Sequence, residues 1–136
     1  MRRLLFHGEV ILALASAWVL VFCIPFRRTV RFLGATGAVG LNHASLAPRA
    51  ERRARGIAAA VHRISCRLPF SCSCLVKAVA GRLLMGRRGI PCSIRFGVAI
   101  NGGRFSAHAW LLAGGKTLLG GDVERHFDPI AQIESI

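Results

Sequence analysis

The sequence predicts an α+β fold. Apolar residues recur at helical spacing through its middle third and alternate strictly in its last third, and glycine pairs stand where antiparallel strands must turn. Helices followed by hairpin-linked strands point to helices packed on a small antiparallel sheet, with a further apolar helix in front.

That first helix rests on Val10 to Phe26, a 17-residue apolar run with Arg2 and Arg3 before it and Arg27, Arg28 and Arg31 around its end. Its length is at the lower limit for a bilayer span. Ala15-Ser16-Ala17 resembles a signal-peptide cleavage site, and Pro25 ends a helix. Three readings stay open: a buried helix, a membrane-associated helix and an export signal. Residues 1–48 are expected to form this apolar helical extension and a linker, and 49–136 the main domain.

The second helix is expected over Arg49 to Leu68, where Ala54, Ile57, Ala58, Val61, Ile64 and Leu68 form one stripe. Arg49, Arg52, Arg53, Arg55, Arg63 and Arg67 crowd the same segment, as a solvated face or as a docking surface for something acidic. The third helix is expected over Cys74 to Met85. Ser71 or Ser73 caps its start, Leu75, Val76, Val79, Leu83 and Leu84 follow at helical spacing, and Gly86 and Gly89 read as the stop.

Three strands complete the prediction, near 92–100, 104–112 and 117–121. In the first, Ile94, Phe96, Val98 and Ile100 alternate with Ser93, Arg95, Gly97 and Ala99. Asn101-Gly102-Gly103 is a hairpin turn signal. In the next strand His108 shares a face with Trp110 and points opposite to Phe105. A three-residue loop, 114–116, would pair Ala113 with Thr117 and set His108 opposite Asp122. A two-residue loop would pair His108 with Gly121 and turn Asp122 away.

The chain carries a net charge of +13, which asks for an acidic partner. Nucleic acid is disfavoured, because Tyr is absent, few aromatics stand among the arginines and no binding module is recognisable. The five cysteines, at 23, 66, 72, 74 and 92, are odd in number and irregularly spaced, which suits a reducing cytoplasm better than a disulfide framework. Cys66, Cys72, Cys74 and His62 lack the paired knuckles of a structural zinc site, so no metal is expected.

The chemistry-bearing residues are Cys74, His108 and Asp122, a thiol, an imidazole and a carboxylate in an order a cysteine peptidase can use. At the start of a helix a sulfur sits beside the positive end of the dipole, and a carboxylate across the hairpin can orient the imidazole. Singly, each has a plainer reading: a core cysteine, a half-buried histidine, a turn aspartate. Together, at a helix start and across a hairpin, they favour catalysis. Cys72 competes with Cys74, and Glu124 and Asp128 are reserves for the third position, Asp128 more as a structural residue.

Cys74-Leu75-Val76-Lys77-Ala78, Arg87-Arg88-Gly89-Ile90-Pro91, Phe96-Gly97-Val98, Ala107-His108-Ala109-Trp110 and Asp122 together resemble the transglutaminase-like cysteine peptidase of lasso-peptide biosynthesis. The resemblance runs from about Ala54 to Ile133 and extends weakly to the Leu-rich start and Pro25-Phe26-Arg27-Arg28. It implies a transglutaminase-like, papain-like core and removal of the leader from a ribosomally made precursor, before a lasso cyclase closes the ring. Cys74 would be the nucleophile, His108 the general base and acid, Asp122 the orienting carboxylate, and Trp110 a substrate contact. It further implies a free-standing peptidase half working in the cytoplasm with a separate leader-binding partner, a RiPP recognition element. No cofactor follows, and a requirement for ATP stays open. With cytosolic partners, the first helix is expected to pack on the peptidase or a partner, membrane contact being open. Two other classes remain: a noncatalytic, basic, membrane-associated binding protein, and a transglutaminase-like acyltransferase.

Overall fold

The computed structural model describes residues 2–25, 27–28, 35–37, 45–70, 72–114, 116–119 and 128–134. Its elements are α1 (Arg2–Phe22), β1 (Ala35–Gly37), α2 (Pro48–Ser65), α3 (Cys74–Arg87), β2 (Ser93–Asn101), β3 (Arg104–Ala113), β4 (Lys116–Leu119) and β5 (Asp128–Glu134). The five strands form one antiparallel sheet in the order β1-β5-β2-β3-β4. The α+β architecture is thus the one expected, with two strands added.

Helix ends follow from local chemistry. Pro48 opens α2, where its missing N–H costs nothing, and Glu51 lies in the first turn. The helix stops at Ser65, short of the expected Leu68, which precedes Pro69 and is itself steered away from helical backbone. In α3 the Ser73 hydroxyl caps the start, accepting from the Val76 amide at 3.3 Å. At the other end Gly89, at φ +65°, occupies the left-handed position after the helix. The Ile90 and Gly89 amides donate back to the Met85 and Gly86 carbonyls, a Schellman ending. Gly86 therefore lies inside the helix, and Gly89 stops it.

The β2–β3 hairpin pairs Asn101 with Arg104 across Gly102 and Gly103, both at positive φ, as a type I′ turn requires. Beyond the expected three strands, β5 lies between β1 and β2. It meets β2 through a bulge, where Phe96 pairs with Ala131 and Gly97 with Pro129. Proline has no N–H for a ladder, and a bulge is where an interior strand tolerates it.

The core lies between the helices and one face of the sheet. Val10, Ala13, Leu14 and Ala17 of α1 join Ala54, Ile57, Ala58, Val61 and Ile64 of α2, Val76, Val79, Leu84 and Met85 of α3, and Ile94, Ala109, Leu111 and Leu119 of the strands. Gly81 lets α3 come close to β3: a Cβ there would lie 2.5 Å from Leu111 Cδ2 and 3.3 Å from Leu119 Cδ1. Glu9 ties α1 to the end of α3 through a two-pronged pair with Arg88, at 2.7 and 2.9 Å, and reaches Arg87 at 3.1 Å. By length and composition α1 is long and apolar enough to cross a membrane.

Candidate functional site

Cys74 is the first residue of α3, directly after the Ser73 cap, and is half-buried. Only residues 88–92 connect α3 to β2. So α3 ends beside the Ser93–Leu112 end of the hairpin and starts toward its His108 end, running in the same sense as β3.

His108 is half-buried on β3, and its ring stacks on Trp110 at 5.5 Å between centroids and 29° between planes. Trp110 itself is fully buried, so it forms a fixed floor for the imidazole. Across the ladder His108 pairs with Gly97, and Trp110 pairs with Arg95. The bodies of β3 and α3 meet through the alternate residues, Ala109 and Leu111. Among the described residues, then, the structure brings His108 and Trp110 together on the sheet face opposite the one α3 covers, and it does not bring Cys74 and His108 together.

The turn after β3 has two residues between the paired Ala113 and Lys116, shorter than the three-residue alternative. A bulge then moves the register by one, from Leu112 opposite Thr117 to Leu111 opposite Leu119. Asp122 and Glu124 lie outside the described residues. Asp128 opens β5, its backbone opposite Val98.

The neighbouring thiols are distinguishable. Cys72 donates to the Phe70 carbonyl at 3.8 Å, and burial pushes its thiol above the ordinary value; the Lys77 charge opposes that shift and Cys66 adds to it. Cys92 is buried and pushed up to about 11 by burial, against opposing effects of the Arg82 charge and hydrogen bond. Among the described residues no three His, Cys, Asp or Glu side chains gather as a metal site. On α2, Arg49, Arg52, Arg53, Arg55 and Arg63 are all exposed, as is Arg67 just past its end, with Arg55 paired to Glu51 at 2.8 Å.

Gly97 and Pro129 meet at the bulge between β2 and β5, a glycine within an alternating strand and a proline before an apolar run being local marks of a bulge.

The family model of the transglutaminase-like superfamily matches residues 20–132. This chain belongs to the transglutaminase-like superfamily. The matched region takes in the capped start of α3, the whole β2–β3 hairpin and most of β5. Such a domain is consistent with cysteine peptidase or acyltransferase chemistry, and the superfamily includes cysteine peptidases. No match to this chain was found among curated proteins or among solved structures.

Proposed function

We propose that this transglutaminase-like protein is a cysteine peptidase that removes the leader from a ribosomally synthesised lasso precursor peptide. What carries the reading is a cysteine at the first position of a serine-capped helix, inside a domain of this superfamily. The motif resemblance from Cys74 to Asp122 narrows the peptidase class to lasso maturation.

In this mechanism Cys74 Sγ attacks the carbonyl carbon at the end of the leader, and its proton passes to His108. The tetrahedral oxyanion is held by first-turn amides of α3, that of Cys74 among them. His108 returns the proton to the departing amine, the C–N bond breaks, and a thioester to the leader remains. Water deprotonated by His108 then hydrolyses the thioester, releasing the leader acid and free Cys74. Asp122 orients the imidazole, and Trp110, buried beneath His108, positions it. A separate leader-binding protein delivers the precursor, the arginines of α2 receive acidic residues of the leader or of that protein, and a lasso cyclase takes the freed core peptide.

The test is mass spectrometry of a lasso-type precursor incubated with the full chain and a leader-binding partner. Leader release by the wild type and by Cys72→Ala, but not by Cys74→Ala or His108→Ala, supports the proposal. Loss in Cys72→Ala with Cys74→Ala active would reassign the nucleophile. A product carrying an amine in place of water would make the enzyme an acyltransferase, and no Cys74-dependent product would favour a binding protein.

A further inference from the structure

α1 is apolar on both sides. Val10, Ala13, Leu14 and Ala17 are buried against α2 and α3. The opposite side carries Leu4, Ile11, Leu12, Val19 and Phe22, with Leu12 69 % and Phe22 57 % exposed. At 100° per residue these outer residues centre about half a turn from the buried stripe. A helix apolar all round is normally covered all round, so the outer face needs an occupant.

Charge says which. Arg2 and Arg3 at one end, and Arg27 and Arg28 beyond the other, are exposed. The one acidic residue of α1, Glu9, is turned toward α3 and neutralised there by Arg88. An apolar stripe between basic ends, with no acidic group on it, matches hydrocarbon bordered by anionic headgroups. A second copy would bring another +13 charge against the first. Spanning is disfavoured while the fold is intact, since α2, packed on α1, would carry Arg52, Arg53 and Arg63 into the hydrocarbon.

We infer that the outer face of α1 docks in the plane of an anionic membrane surface, holding the folded domain at the bilayer. The apolar side chains enter the headgroup–acyl boundary, and the arginines at both ends pair with lipid phosphates. This stands on α1 alone and does not depend on the peptidase reading.

The experiment uses the full chain with vesicles of phosphatidylcholine and phosphatidylglycerol in equal parts, against vesicles of phosphatidylcholine only, read by co-sedimentation. Binding should be at least tenfold tighter to the anionic vesicles and weaken with added salt. The doubly substituted Leu12→Glu, Val19→Glu chain should lose binding tenfold or more while keeping its circular dichroism spectrum, because both side chains are exposed. Arg27→Glu with Arg28→Glu should lose the preference for anionic lipid. No binding of the folded wild type to anionic vesicles would overturn the inference, as would undiminished binding by the doubly substituted chain. A lipid-free dimer that dissociates in Leu12→Glu, Val19→Glu would assign the face to a second copy and overturn it too.

Discussion

The pair between Glu9 and Arg88 predicts how stability depends on acid. The perturbation is Glu9→Gln, which keeps the shape and removes the charge. Glu9 accepts two bonds from Arg88, at 2.7 and 2.9 Å, and both side chains are 23 % exposed; its contact with Arg87 is more open, Arg87 being 72 % exposed. Arg88 is held further by the Leu84 carbonyl at 3.1 Å and by the Phe6 ring, 5.4 Å below its guanidinium. An exposed pair contributes up to about 1 kcal/mol and charge-assisted hydrogen bonds about 1.5–3, so this partly shielded pair should contribute about 1.5 kcal/mol. In a chain of this size that corresponds to a fall of about 3–6 °C in Tm. The hydrogen bond from Arg88 holds the Glu9 carboxyl below its ordinary 4.5, against a smaller opposing effect of burial, and the Arg88 and Arg87 charges add to the lowering. Because the folded value is the lower one, the contribution is complete above pH 4.5 and is lost as the pH falls through the folded value. Thermal unfolding of both chains from pH 7 to pH 3 should therefore show a constant gap down to about pH 5 that closes in stronger acid. An equal gap at pH 7 and pH 3, or none at pH 7, would refute the reasoning.

Other substitutions probe the frame of the site. Gly81→Ala gains about 1 kcal/mol of helix propensity, but its Cβ would meet Leu111 Cδ2 at 2.5 Å. Overpacking costs about 1–3 kcal/mol, and Leu111 is fully buried. The net expectation in urea denaturation is a loss of about 1 kcal/mol, and a more stable variant would show that the core yields there. Ser73→Ala removes the cap of α3 and should cost about 1 kcal/mol by the same assay, with Ser73→Asn restoring most of it. With Cys92 at about 11, only about 0.1 % is thiolate at pH 8. In the folded chain Cys92 should resist a thiol reagent that modifies exposed Cys66, and it should react once denaturant is added, as peptide mapping would show.

Local signals made most of this fold legible, and distant pairing hid the rest. Serine before Cys74 and glycine after Arg88 bound α3 through caps that act within a turn. Asn101-Gly102-Gly103 aligned the hairpin because two positive-φ residues admit one tight turn. By contrast, β1 pairs with β5 from Ala35 to Glu134, a distant contact that no local signal announces. The turn before β4, left open between two and three residues, has two, and the bulge that follows at Leu111–Leu112 is a step no turn propensity reveals. At the candidate site, alternation correctly set His108 and Trp110 on one face, while the stacked floor beneath the imidazole needed the structure.

The strand order also governs how the molecule is made. β5 is an interior strand drawn from residues 128–134, flanked by β1 from residues 35–37 and β2 from the middle of the chain. The hairpin that carries His108 closes locally, and such pairings form within microseconds. The sheet, however, stays split until β5 has left the ribosome, since among the described residues β1 has no other neighbour in it. A nascent chain arrested before residue 128 would hold the hairpin with an open flank along β2, and the domain should become protease-resistant only after the last strand is released.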